Sequence, residues 1–329
     1  MFKTFCRTRL TGLALGLFAI ISVATVGVAV AKEYPVRPIS LVVPYSPGGG
    51  VDLVGRLLAQ ELSKTLGQPV VLENRPGSGG IIGINAVARA AADGYTLLVV
   101  DPALVINPSL LSSVQYKTRD LTPISMLTLS PLVLTSTKSL PVKSVAELEN
   151  LSKKKGSAGL SFASAGIGTT PHMAGELFKL KSGGNMLHIP YKGSGPAMTD
   201  LISGQIDFAF STIAAAAPFI KEGRLNGLAT TGAKRSKLLP DLPTVADTFP
   251  DFKVLFWTGL FAPANLPADV AKKLSDAVKI ALDSPEMRDG LEKRGDSPAY
   301  MTTEESVKFV QSESDMWAKV IEQGHFKPD

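Results

Sequence analysis

Two hydrophobic periods alternate along this chain. Short, unbroken apolar runs are followed by stretches in which apolar residues recur every three or four positions. ISLVVPY (39–45) is the first such run. It is short and rich in Val, Ile and Leu, and predicts a buried strand. In DLVGRLLAQELSKTLG (52–67), Leu53, Val54, Leu57, Leu58, Leu62 and Leu66 fall at helical spacing, and Gly67 is a natural stop. PVVLEN predicts a second strand, GGIIGINAVARAAA a small-residue helix ending at Asp93-Gly94, and YTLLVV (95–100) a third strand. Strands alternating with helices imply parallel pairing with helices on both faces.

A second set begins after LTPISMLTLSPLVLTST. SVAELENLSKKK predicts a helix in which Ser144 and Glu147 form a capping box. The strands GLSFAS, MLHIPY, IDFAFS and RLNGLATT follow, with helices in GIGTTPHMAGELFKLK and PAMTDLISG between them. After FKVLFWTGLFAP the chain turns helical, in PADVAKKLSDAVKIALDS and TEESVKFVQSESDMWAKVIEQ. The segments near 124–135 and 253–262 read as extended crossovers between two α/β sets. The C-terminal helices need a surface to cover, and the economical arrangement returns them to the first set. The expected organisation is lobe 1 at 32–133 plus 257–329 and lobe 2 at 134–256. Two crossovers make a hinge with a cleft between the lobes, where small-molecule sites tend to lie.

The first residues change this picture only by leaving it. Lys3, Arg7 and Arg9 precede an apolar stretch from Leu10 to about Val28, and Ala29-Val30-Ala31 is a cleavage site, so 1–31 reads as a signal peptide. A membrane anchor is the competing reading, because the stretch is nearly long enough to span. Cleavage after Ala31 would leave 298 of the 329 residues, enough for two domains with cores of their own. The single cysteine, Cys6, would go with the signal. An exported chain without disulfides suits a bacterial periplasm. The signal also carries three of the 34 basic residues, leaving 31 against 29 acidic ones, a net charge of +2. That is no electrostatic footprint for nucleic acid.

Candidate chemistry gathers at helix starts. VPYSPGGGVD (43–52) places three glycines between a strand and a helix N-terminus, where unpaired N–H groups and the positive end of the helix dipole make an anion site. SFASAGIGTTPH (161–172) repeats the arrangement with Gly166, Gly168 and Thr169; Thr170 reads as the N-cap and Pro171 as the first helical residue. PYKGSGPAM (190–198) does so again before Pro196. Three such starts in two lobes imply a cleft built to hold an anion. A Walker loop is excluded because the chain contains no Gly-Lys, and Pro171 breaks the dinucleotide fingerprint, so a carboxylate is the remaining small anion. Asp52 reads as a helix-dipole residue paired with Arg56, or as the acceptor of an ammonium group. No cysteine nucleophile survives export, no Gly-x-Ser-x-Gly elbow is present, and no metal-ligand spacing appears. Of the three histidines, His172 is expected in the first turn of its helix facing the cleft, while His188 reads as structural. No cofactor or metal is expected.

The stretches YPVRPISLVVPYSPGGGVDLVGRLLAQELSKTLGQPVVLENRPGSGGIIG, ADGYTLL, INPSL, SFASAGIGTTPHMAGELFK, HIPYKGSGPAMTDLISGQID, GLATTGAKRSKLLPDLPTVAD and WTGLFAPANLP resemble, in order, the periplasmic solute-binding proteins of tripartite tricarboxylate transporters, the Bug family. The resemblance implies an α/β, two-lobed flytrap fold. It implies capture of small carboxylates, or sometimes amino acids or aromatic acids, for a membrane permease, and the chain is expected to act as a monomer. It also implies contacts from Tyr45, Ser46, Gly49 and Asp52 in the first lobe, and from Ser164, Gly168, Thr169, Thr170 and His172 in the second, with Tyr191 and Asp207 near the cleft. Tyr45 and the stretch DPALVINP are where the resemblance places tuning of the ligand. A periplasmic ligand sensor and a hydrolase using His172 stand as alternatives.

Overall fold

The computed structural model describes residues 33–154 and 159–326. The expected signal peptide and its cleavage site lie outside the described residues. Among the described residues, no helix is long and apolar enough to cross a membrane.

The first strands form where the apolar runs predict them. β1 (Ile39–Val43) pairs in parallel with β2 (Val70–Asn74) and with β3 (Thr96–Val100). Ile39, Leu41, Val42 and Val43 are fully buried, as expected of a strand covered on both faces. Between β1 and β2 runs α1 (Gly50–Leu66), which buries Val51, Val54, Leu58 and Leu62 and ends at Gly67 in the left-handed conformation (φ 66°). Gly55 lets α1 lie close on the sheet: a Cβ there would stand 2.9 Å from Val43 Cγ2. α2 (Ile81–Ala88) precedes β3, and α3 (Ala103–Leu110) follows it.

β4 (Leu121–Thr137) is 17 residues long and belongs to both halves of the sheet. α4 (Val145–Lys154), β5 (Leu160–Ser164), α5 (Thr170–Ser182), β6 (Met186–Pro190), α6 (Ser194–Ser203), β7 (Phe208–Thr212), α7 (Ile213–Lys221) and β8 (Leu225–Thr230) follow. Then come β9 (Leu255–Pro263), α8 (Ala268–Asp283), α9 (Pro285–Glu292) and α10 (Thr303–Gly324). The strand order is β2-β1-β3-β9-β4-β7-β5-β6, with β8 also on β4. β5 is parallel to β6 and β7, so each half repeats a parallel βαβ arrangement. β4 and β9 join the halves. β4 pairs antiparallel with β9 up to Pro131 and with β7 and β8 from Leu132 onward. Thr128 and Thr258 bridge the two joining strands through buried hydroxyls 2.7 Å apart.

Helices cover both faces of each half. One core packs α1, α8 and α9 on the first half, through Leu58, Leu62, Leu274, Val278 and Met287. A second packs α6 and α7 on the other half, through Leu201, Ile213 and Ala216. The largest runs through both halves, where Val310, Trp317 and Ile321 of α10 share a core with Leu104 of α3 and with Leu177 and Phe178 of α5. Ser144 caps α4 as its sequence predicts, accepting the Glu147 N–H at 3.2 Å.

Candidate functional site

Parallel strands in both halves end at one cavity of about 750 Å³. Tyr45 and Gly49 reach it from the end of β1, Ser78 and Gly79 from β2, and Asp101 from β3. Ala165, Ile167, Thr169 and Thr170 reach it from β5, Tyr191 and Lys192 from β6, and Thr212 from β7. Ligands in open α/β sheets bind at this carboxyl edge, and the volume suits a small molecule. Asp101 and Lys192 are the charged side chains lining it among the described residues.

Two of the glycine loops are built the same way. Gly49 is the N-cap of α1 and Thr169 the N-cap of α5, and neither makes a side-chain cap bond. Instead the residue before each cap, a glycine with positive φ (Gly48, 89°; Gly168, 77°), donates its N–H to a side chain four residues on. Gly48 N–H donates to Asp52 Oδ2 at 2.8 Å, and Gly168 N–H to His172 Nδ1 at 3.2 Å. The side chain in the first helical turn therefore holds the loop, and the cap leaves the first-turn N–H groups without a side-chain partner. With the helix dipole they form an anion site. Around Gly50 nothing lies within 4 Å of where a Cβ would stand, so the α1 terminus opens onto free space.

Beneath the second loop the polar groups are interlocked. Ser164 Oγ lies 2.6 Å from His188 Nε2 and accepts Gly166 N–H at 3.1 Å. The His188 ring lies 5.0 Å from that of Phe162 and 4.0 Å from that of His172, each pair tilted by 30°. Burial first, and then the neighbouring His172 and Lys179, push His188 down to a pKa of about 3, so it is a neutral imidazole. Thr169 Oγ1 donates to Gly166 O at 2.7 Å. Thr170 lines the cavity at 1 % exposure, and its Oγ1 has no partner. A buried hydroxyl left unpaired is costly and asks for an explanation. Across the cavity rim, Asn107 of α3 donates through Nδ2 to Gly79 O at 3.1 Å. Its Oδ1, also unpaired, would stand 2.5 Å from a Cβ at Gly168.

Residues 54–325 match the model of the tripartite tricarboxylate transporter family receptor. The chain belongs to that family. It is 36 % identical over 315 residues to Protein BugT of Bordetella pertussis, covering 93 % of this chain and 95 % of the relative. It is 35 % identical over 291 residues to a UPF0065 protein from the tcbD-tcbE intergenic region of Pseudomonas sp. strain P51, covering 88 % and 86 %. Among solved structures, R. palustris Rpa4515 with adipate superposes with a TM-score of 0.81 at 32 % identity, covering 90 % of this chain and all of that one. The periplasmic binding protein BugD superposes with a TM-score of 0.78 at 32 % identity and the same coverage. MatC of Rhodopseudomonas palustris with bound malate gives 0.75 at 32 %, covering 88 % of this chain and all of that one. The fold class is thus that of the α/β periplasmic binding proteins, and the family is one of solute receptors.

Within this receptor the structure sorts the expected contacts. Tyr45, Gly49, Thr169, Thr170 and Tyr191 line the cavity; Tyr191 Oη also donates to Asp200 Oδ2 at 2.7 Å. Ser46, Ser164, Gly168 and His172 do not line it. Ser46 is an exposed loop residue, and the other three lock the second loop as described above. His172 does not face the cavity, because its ring turns under the loop against His188. Asp52 is fully buried, and Arg56 at 2.9 Å, Asn74 at 2.8 Å and Gly48 occupy its oxygens, so it has no room for an ammonium group. Burial raises the pKa of that carboxyl, and the bonds from Arg56, Gly48 and Asn74 outweigh burial and lower it overall. Asp207 accepts the Ser161 N–H at 2.7 Å at the opposite end of β5, away from the cavity. The cap of α5 is Thr169 rather than Thr170, and α6 starts at Ser194 with Gly193 as its cap, two residues before Pro196.

Sequence reasoning passed over one loop, and singled out two residues only as part of the stretch DPALVINP. Ser78 and Gly79 form a fourth glycine loop, in which Ser78 itself adopts a left-handed φ of 49°. PGSGG before an apolar helix was a signal of the same kind as the other three. Asn107 lies in a helix with no polar stripe to announce it. Asp101 follows directly on the third predicted strand. Its Oδ1 accepts the Tyr45 hydroxyl at 2.6 Å and the Ala103 N–H at 3.1 Å. Burial, partly offset by those bonds, raises its pKa to about 6.

Proposed function

We propose that this receptor captures a small organic carboxylate in the periplasm and delivers it, as a monomer, to the membrane subunits of a tripartite permease. Lobe 1 is 32–133 plus 257–329 and lobe 2 is 134–256; they close on the ligand about the β4–β9 crossover. Export uses residues 1–31, with cleavage after Ala31. The carboxylate lies against the first-turn N–H groups of α5 and the hydroxyl of Thr170, with α1 and Gly49 facing it from the other lobe.

The observation that carries this reading is the unpaired Thr170 Oγ1, buried on the wall of a cavity at an uncapped helix N-terminus. A carboxylate supplies the acceptor that the hydroxyl lacks and the negative charge that the helix dipole favours. The adipate and malate complexes of the solved relatives belong to the same ligand class. Ligand binding to the folded chain stabilises it by RT ln(1 + [L]/Kd), about 2.7 kcal/mol at a hundredfold excess over Kd. A thermal-shift panel of organic acids, amino acids, sugars and phosphates tests the reading. At least one carboxylate should raise the melting temperature. Stabilisation by sugars or phosphates alone would refute it.

A further inference from the structure

The cavity carries a second polar centre of opposite character to the α5 terminus. Asp101 is the only acidic side chain lining it among the described residues. The Tyr45 hydroxyl and the Ala103 N–H fix the carboxylate in place, and both bonds fall on Oδ1. Neither donor is a cation, and among the described residues Asp101 enters no ion pair. Lys192, the basic residue on the cavity wall among the described residues, is exposed and forms no ion pair with Asp101. Nearby Asp52 contrasts with this: its carboxylate is matched by a guanidinium and two further donors. A partly buried carboxylate without a counter-charge is unfavourable unless something brings the charge to it. Beside ionised Asp101, a second carboxylate would be repelled, whereas an ammonium would form a charge-assisted hydrogen bond.

We propose that Asp101 is a specificity-determining residue that receives the ammonium group of the ligand, so that the carboxylate captured here is that of an amino acid. The inference rests on the proposed function, which supplies the other end of the ligand: the carboxylate at the α5 terminus. A zwitterion carries a partner for each of the two centres, which line the same cavity. Tyr45 acts as a positioning residue, since its hydroxyl orients Asp101 and leaves Oδ2 free of the two bonds that hold Oδ1.

Calorimetry on the full mature chain tests this, with the common L-amino acids set against propionate, succinate, glutarate and adipate. At neutral pH at least one amino acid should bind, with its deaminated counterpart at least about tenfold weaker. Asp101→Asn should weaken the amino acid by roughly ten- to a hundredfold and leave the deaminated acid unchanged or tighter. The pH profile of the unaltered chain is a second readout that does not depend on the variant folding. Asp101 takes up a proton as the pH falls through about 6, so amino-acid affinity should fall there. Deaminated acids that bind while amino acids do not would overturn the assignment to Asp101 and leave the carboxylate reading standing. Amino-acid binding that survives both Asp101→Asn and acidification would overturn it too. Binding of neither class would overturn the carboxylate reading itself, and this inference with it.

Discussion

Replacing Thr170 by valine should move stability and affinity in opposite directions. Thr170 is the first residue of α5, not its cap, so the substitution removes no cap bond. Its Oγ1 is buried without a partner, and a buried unpaired polar group costs about 1–3 kcal/mol. Valine keeps the branched shape and deletes the unpaired atom, so the ligand-free protein should become more stable by up to that amount. At about 2–4 °C per kcal/mol for a chain of this size, the melting temperature should rise by roughly 2–12 °C. Binding should change the other way. A hydrogen bond to a charged group contributes about 1.5–3 kcal/mol, so carboxylate affinity should fall by roughly ten- to a hundredfold. Thr169→Val is the control, because its hydroxyl already donates to Gly166 O at 2.7 Å. Losing that bond should cost about 0.5–1.5 kcal/mol in the ligand-free protein. Differential scanning calorimetry and titration calorimetry on both variants give the four numbers. A lowered melting temperature in Thr170→Val would mean that the hydroxyl has a partner after all. Unchanged affinity would mean that the ligand is held elsewhere.

Gly168→Ala should destabilise the chain by about 1–2 kcal/mol for its left-handed φ alone, and by more because its Cβ would meet Asn107 Oδ1 at 2.5 Å. Adding Asn107→Ala should recover the second part, a coupling of about 0.5–3 kcal/mol in urea denaturation; strictly additive effects would refute the contact. His188 is held near a pKa of 3 in the fold, against an ordinary 6.5. The unfolded chain therefore binds the extra proton first, and the stability this residue contributes, complete above about pH 6.5, is lost as the pH falls toward 3. His188→Asn should thus reduce the loss of stability between pH 6.5 and 4.5, by at most about 1.4 kcal/mol per pH unit, while the opposing contribution of Asp101 cancels between the two chains; parallel stability curves would refute the neutral imidazole.

What was legible in the sequence depended on whether an element shows one face or two. α1 and α8 bury one stripe, with Val54, Leu58 and Leu62 in one and Val270, Leu274 and Val278 in the other, so their 3.6-residue period survives in the sequence. α3 buries Leu104, Val105 and Ile106 together and carries Pro108 inside it, so ALVINPSL shows neither a period nor a permissive composition. The cap of α5 was misplaced by one residue, because the preference for proline at the first helical position points to Thr170 while the chain puts Pro171 second. Neighbourhood along the chain was readable and direction was not. Asp52 and His172 lie at the right helix starts but turn under the loops, and Asp207 lies at the wrong end of its strand.

That shared misreading has a physical basis. A binding loop needs two kinds of residue: those that offer donors to a ligand, and those that keep the backbone from collapsing onto its own side chains. A serine or aspartate at the N-cap would satisfy the first-turn N–H groups and close the site. Here glycine stands at the cap of α1, and the threonine at the cap of α5 directs its hydroxyl back to Gly166 O. The stabilisation a cap would give comes instead from the third helical residue, Asp52 in one half and His172 in the other, each accepting the N–H of a positive-φ glycine four residues back. Both loops are thereby fixed while their helix N-termini stay open, and the conspicuous acid and the conspicuous histidine are spent on the scaffold. Among the described residues, Asp101 is the acidic residue on the cavity wall, and it has no ion-pair partner. Selectivity among ligands is therefore to be sought at the end of β3 rather than in the glycine loops.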